Sequence, residues 1–275
     1  MSGQRLRQDE AMSTGPCEPA PGHPGGPGGG VDRDRDHAGD PEFAPATRGL
    51  VVVGPGASFG SDLLRRFGRE GFALGVVSRS ADTLTRVRDE LAEDGLAVHG
   101  AVADVTDQPA LTTAIQRVAA DVGGLTVLVY NAKLSIRGGA LTVKAETMNQ
   151  TLAVNVTGAL TAVQVAADLL VDRPAATILL TTAGSRTEPV AGRFALAIGK
   201  AGLAALADAV RPMLAARGVR LRTVVLDGRV DAAGPLRPGV VADHFWQAFA
   251  APRGDVFRLA PARRATPVAQ LPLEV

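Results

Sequence analysis

From position 49 onward, short apolar runs alternate with segments of helical periodicity. The runs 49–54, 73–78, 97–101, 126–131, 176–182 and 220–226 are rich in Val, Leu and Ile and predict β-strands. The segments 59–70, 81–94, 108–121, 143–172, 190–216 and 240–249 predict helices. Strands alternating with helices predict an α/β fold: a doubly wound parallel sheet between two helical layers. The runs are nearly continuous rather than alternating, as expected where both faces of a sheet are buried. His99, inside the third run, is therefore expected to be a buried structural residue. Ligands of such sheets sit beyond the carboxyl ends of the strands, where strand order reverses. That singles out 54–60, 78–80, 104–105, 131–133, 182–185 and 227–230.

Composition changes this picture mainly at the ends. Residues 1–47 hold nine Gly and seven Pro with few apolar side chains, and predict a disordered Gly/Pro-rich tail. The tail has four Arg against eight Asp and Glu, a net of −4, so with an overall charge of +1 the remaining chain carries about +5. That mild charge, without a basic run, does not imply a nucleic-acid partner. No signal-like apolar stretch stands in the tail, and no later run reaches the ~18 uninterrupted apolar residues of a membrane span. The sole cysteine, Cys17, has no partner for an internal disulfide, which suits the cytoplasm. The body, 48–260, is expected to be one domain, with 261–275 a loose tail and 256–259 a remnant strand. It contains one tyrosine, Tyr130, and three lysines, Lys133, Lys144 and Lys200.

Candidate chemistry clusters after the strands. Gly54-Pro-Gly56-Ala-Ser58-Phe59-Gly60 joins an apolar run to an amphipathic segment. Glycines let the backbone approach a ligand, and the following helix start presents free N–H groups to an anion, so this turn suits a phosphate. Ser78-Arg79-Ser80 follows the second strand and has no acid to accept from a ribose 2′-hydroxyl. Arg79 and the serines suit a 2′-phosphate instead, which favours NADP(H) over NAD(H). An ordinary surface arginine, with Ser80 capping the second helix, is the alternative. Asn155 stands in a largely apolar helix and must find partners. No His, Cys or carboxylate group has metal-ligand spacing.

On these residues the chain resembles the short-chain dehydrogenase/reductase family over about 48–250, and is expected to have that family's Rossmann-type three-layer fold. Gly54 and Gly60 match its glycine turn, with Ser58 at the middle glycine. The resemblance places Asp104 and Val105 against the adenine ring. Tyr130-Asn131-Ala132-Lys133 is similar to the family's Asn-Asn-Ala-Gly, with Asn131 and Ala132 matching. Asn155 then matches the residue that fixes a water leading to the catalytic lysine. Lys200 lies in the lysine context and would also hold the nicotinamide ribose. Four residues before it, where the family has its tyrosine acid, stands Leu196. The usual serine position falls at Ala183, with Thr181, Thr182 and Ser185 nearby. Gly228 is kept after the sixth strand, while Asp227 replaces a proline without explanation.

The resemblance implies an NADP-binding oxidoreductase moving hydride between NADP(H) and a small carbonyl or alcohol, with an atypical active site. Lys200, Asn155 and Thr182 are its catalytic candidates. A water beside Asn155 and Lys200 is the favoured proton donor, with Thr182, Ser185 and His244 as alternatives. Residues 229–255 are expected to form a substrate lid, with Trp246 as its anchor or a core residue. The alternative is a non-catalytic NAD(P)-binding sensor or partner subunit. A homodimer or homotetramer and a cytoplasmic location are expected, without a membrane partner.

Overall fold

The computed structural model describes residues 48–184 and 192–261. The expectations for the two tails and for Ser185 lie outside the described residues. Seven strands form one parallel sheet: β1 (Gly49–Val53), β2 (Ala73–Ser78), β3 (Val98–Val102), β4 (Leu125–Tyr130), β5 (Thr177–Ala183), β6 (Arg220–Leu226) and β7 (Val256–Leu259). Their order is β3-β2-β1-β4-β5-β6-β7. The chain winds outward from β1 to β3, then returns to the other side of β1 with β4. The crevice beyond the carboxyl ends of β1 and β4 is therefore the switch point of the fold.

Helices α1 (Gly60–Gly68), α2 (Ala81–Ala92) and α7 (Pro238–Ala250) cover one face. The other is covered by α3 (Gln108–Asp121), α5 (Gly158–Leu169) and α6 (Phe194–Ala215), with α4 (Ala145–Leu152) leading into α5. Fully buried Val, Leu and Ile from β1, β4 and β5 point alternately into the two cores, as a doubly covered sheet demands. Ser80 caps α2 by accepting from Thr83 N–H at 3.3 Å, and Asp107 caps α3 by accepting from Ala110 N–H at 3.0 Å.

Four expectations are corrected. His99 is exposed, because β3 is the outermost strand and loses cover on its outer side. The long helix 143–172 is interrupted by one π-helical turn, Ala153–Thr157, which separates α4 from α5. The stretch 229–255 is not a lid over its whole length. Its helix, α7, packs against α1 and the sheet through Val241, Phe245, Ala248 and Phe249, and only the loop before it borders the crevice. His244 stands edge-on to Phe257, 6.5 Å between ring centroids, and does not line the crevice. Trp246 is a core anchor, stacked edge-on against Phe67 beneath Arg66. The remnant strand is β7, a full parallel partner of β6.

One helical stretch among the described residues, Ala145–Leu169, is long and apolar enough to cross a membrane by length and composition. In the fold, its α5 portion buries Ala159, Ala162, Val163 and Ala166 against α3 and β4.

Candidate active site

The glycine turn leaves β1 at Gly54, with φ +73°, and Gly56 has φ +64°. A Cβ on Gly54 would lie 2.6 Å from the Cα of Ala132, so only glycine fits between the ends of β1 and β4. Asn131 fastens the same junction: its Nδ2 donates to Gly54 O at 2.8 Å. A Cβ on Gly60 would strike Pro55 O at 2.2 Å, so the loop folds tightly back on the first turn of α1. Phe59, the residue before α1, makes no side-chain cap. The first-turn N–H groups are then left without a side-chain acceptor, facing the loop.

Two cavities meet at this loop. The first, of about 400 Å³, runs from Gly54, Gly56 and Ser58 past Ser78, Arg79 and Ser80 to Asp104, Val105 and Ala132. Thr83 and Arg86 also line it. Arg86 donates to Gly56 O at 2.9 Å and pairs with Glu90, so it ties α2 to the glycine loop. Asp104 turns back to accept from Thr106 N–H at 2.8 Å and from its hydroxyl at 2.7 Å. These bonds hold its carboxyl below the usual carboxylate range.

The second cavity, of about 520 Å³, shares Ser58, Phe59, Asn131 and Lys133 with the first. It continues to Thr181, Thr182, Ala183, Leu196 and Lys200, and is closed by Gly228, Arg229 and Val230. Lys200 is 3% exposed, and its Nζ donates to Thr181 O at 2.7 Å. Burial, aided by the positive charge of Lys133, lowers its pKa to about 7. The hydroxyls of Thr181 and Thr182 are buried and have no hydrogen-bond partner among the described residues. Buried hydroxyls are normally paired; both residues belong to the cavity lining, but their hydroxyl oxygens are covered. Leu196 lines the same cavity, one helical turn before Lys200.

Asn155 lies in the π-helical turn and is fully buried. Its Oδ1 accepts from Leu134 N–H and its Nδ2 donates to Leu134 O, each at 3.0 Å. A Cβ on Gly199 would fall 2.8 Å from that amide nitrogen, so the glycine next to Lys200 lets α6 close on Asn155. The side chain thus clamps the segment after β4 beneath Lys200. π-turns leave backbone carbonyls without helical partners, and the lone tyrosine meets one of them: Tyr130 Oη donates to Val154 O at 2.5 Å. Burial, with Asp104 adding negative charge nearby, raises the Tyr130 pKa, so this phenol stays protonated and is spent on structure. Tyr130→Phe is expected to cost about 1–3 kcal/mol in urea unfolding, because the buried carbonyl loses its donor. An unchanged midpoint would contradict this.

Asp227 is explained by Arg258 of β7, with which it forms an ion pair. That pairing offsets its charge, and Asp227 does not line the cavity although Leu226 and Gly228 on either side of it do. Sequence reasoning singled out 227–230 without giving Arg229 a role, and it overlooked Arg86 and Arg193 as cavity residues. Arg86 stands on the exposed side of an amphipathic helix and Arg193 just ahead of an apolar one, and neither has a local pattern that marks it as facing a cavity.

A parallel seven-stranded sheet with its glycine cradle at the switch point puts the chain in the Rossmann-type α/β class. The family model described as short chain dehydrogenase matches residues 49–232. The chain belongs to the short-chain dehydrogenase family and is an NAD(P)-dependent oxidoreductase. An uncharacterized oxidoreductase of Mycobacterium tuberculosis is 25% identical over 186 residues, 66% of this chain and 73% of that one. A solved short chain dehydrogenase from Mycobacterium smegmatis has a TM-score of 0.72 at 24% identity, covering 79% of this chain and 93% of that one. The actinorhodin polyketide ketoreductase, solved with NADPH, has a TM-score of 0.70 at 19% identity over 78% of this chain and 96% of that one. At these identities the two structures speak for the fold.

Proposed function

We propose that this chain is an NADP(H)-dependent reductase of a small carbonyl compound, working without the family's tyrosine acid. The observation that carries this reading is the pair of adjoining cavities running from Arg79 to Lys200, which share Ser58, Phe59, Asn131 and Lys133. The cofactor fits the residues present: a glycine cradle that a Cβ would fill, an arginine beside the α2 N-terminus and a buried lysine at the far end. When bound, the dinucleotide supplies or accepts the hydride.

The chain's own residues then divide the work. Gly54, Gly56, Ser58, Phe59 and Gly60 bind the pyrophosphate. Ser78, Arg79 and Ser80 hold the 2′-phosphate, and Asp104 and Val105 border the adenine. Asn131 and Ala132 set the cradle wall, and Gly228 gives room at the nicotinamide end. Lys200 Nζ holds the ribose and a water that passes the proton. Thr182 Oγ1, covered in the ligand-free chain, turns to donate a hydrogen bond to the substrate oxygen. Asn155 is a positioning residue, since its amide is committed to Leu134. Its share in holding the water is through that segment.

Arg79→Gln should weaken NADPH by about tenfold and leave NADH within about twofold, since the lost fork meets only the extra phosphate. Fluorescence titration checks this, and an equal loss for both cofactors would remove Arg79 from the 2′-phosphate. The main experiment follows 340 nm absorbance with NADPH and a carbonyl panel. Turnover that Thr182→Val lowers, and that Leu196→Tyr raises, is the expected outcome. Saturable NADPH binding with no turnover on any compound, in either form, would favour a non-catalytic sensor instead.

A further inference from the structure

The second cavity has an unbalanced charge. Lys133, Arg193, Arg229 and Lys200 line it, and among the described residues no carboxylate does. Arg229 has a loose ion pair with Asp231 at 3.6 Å on the outside. Arg193 has no ion pair among the described residues, yet its place is fixed. The segment around it is bridged to Gly138, which donates to Gly192 O at 2.9 Å and accepts from Phe194 N–H at 3.2 Å. Arg193 also immediately precedes α6, so the helix start adds its partial positive charge to the same wall. The repulsion is registered within the cluster: Arg193 lowers the pKa of Lys133, and Lys133 that of Lys200, in each case after burial.

Lys133, Arg193 and Arg229 are exposed, so solvent screens much of this repulsion, and they stand where an anion reaching the cavity mouth would meet them. The dinucleotide's phosphates belong to the glycine loop and to Arg79, in the other cavity. Lys133 touches both cavities and can serve them, whereas Arg193 and Arg229 line only the second. Phe59, Leu196, Leu226 and Val230 give the same wall an apolar part, beside the polar Ser58, Asn131, Thr181 and Thr182.

We propose that the substrate is an anionic carbonyl or alcohol compound: an apolar body whose carboxylate or other oxyanion is held at the cavity mouth by Arg193 and Arg229. This rests on the reading that NADP(H) fills the glycine-loop cavity. The anion lies at the outer end, so the reacting carbon is directed inward toward Thr182 and Lys200. Guanidinium forks suit carboxylate, sulfonate and phosphate alike.

The test is calorimetric titration of the full chain, with and without saturating NADP⁺, using benzoate, benzenesulfonate, phenyl phosphate and the neutral isostere benzamide. At least one anion should bind about tenfold or more tightly than benzamide, and the three arms rank the oxyanions. Arg193→Gln and Arg229→Gln should each reduce that preference, leaving the NADP⁺ dissociation constant within about twofold. Equal binding of benzamide, absence of anion binding, or an Arg193→Gln variant that weakens NADP⁺ as much as the anion would overturn the proposal. Failure of NADP⁺ to bind would instead defeat the cofactor reading, and is seen separately because the anion arms are also run without it.

Discussion

Lys200→Met is expected to stabilise the cofactor-free chain by about 3–5 kcal/mol at pH 6 while removing most of its turnover. The size follows from the drop in the Lys200 pKa from 10.5 to about 7. The sign follows from proton counting. In the unfolded chain this lysine stays protonated up to about pH 10.5, and in the folded chain it loses its proton near pH 7. Between those values the unfolded state binds the extra proton, so stability rises with pH. Below pH 7 both states are charged, and the folded state bears the full cost of a buried ammonium with Thr181 O as its hydrogen-bond partner. Methionine fills similar space without that cost. The variant's advantage should therefore be largest at pH 6, amounting to about 5–15 °C in Tm, and should shrink steadily toward pH 10. Differential scanning calorimetry across this range checks it. A gap that does not change with pH would mean that Lys200 is an ordinary charged lysine. Retention of the charge-costing residue makes physical sense if anionic cofactor and substrate supply the missing counter-charge.

The second large effect is at Gly54. Gly54→Ala should destabilise the chain by about 2–4 kcal/mol and weaken dinucleotide binding about a hundredfold or more. Two costs combine. A φ of +73° is unfavourable for any residue with a Cβ, by about 1–2 kcal/mol. The new Cβ also meets the backbone of Ala132, 2.6 Å from Cα and 2.8 Å from N, which no rotamer change relieves. The strand ends must part by overpacking, at about 1–3 kcal/mol, and the phosphate cradle opens with them. Gly56→Ala is the control. Its φ of +64° is similarly left-handed, but its Cβ would meet only Asn131 Nδ2 at 3.9 Å. It should cost about 1–2 kcal/mol, measured by chemical denaturation. Equal losses for the two variants would show that the close approach to Ala132 is not what the glycine secures.

Much of the architecture was readable from local pattern. Val- and Leu-rich runs marked β1, β2, β4, β5 and β6 to within a residue or so, because a strand covered on both faces has few polar positions to blur it, chiefly threonines and Arg222 here. The same rule failed at His99, where β3 lies at the sheet edge. A run of apolar residues does not report its neighbours. The π-turn was also invisible: its extra residue shifts the helical phase by about 100°, but α5 is apolar on most of its positions and displays little phase to shift. The lid expectation at 229–255 failed because α7 is amphipathic toward the sheet, and a surface helix and a lid helix look alike until their partner is known.

By itself, the sequence determined the succession of strands and helices, the glycine turn after β1 and the absence of tyrosine four residues before Lys200. These rest on backbone preference and periodicity, which act over a few neighbouring residues. Only the tertiary structure decided that Tyr130 supports Val154, that Asp227 turns to Arg258, and that Lys133, Arg193, Arg229 and Lys200 share one cavity wall. Those groups come from segments far apart in the chain, and parallel strand order brings their ends together. Burial and mutual charge then set the protonation of Lys200, a property that no stretch of sequence carries alone.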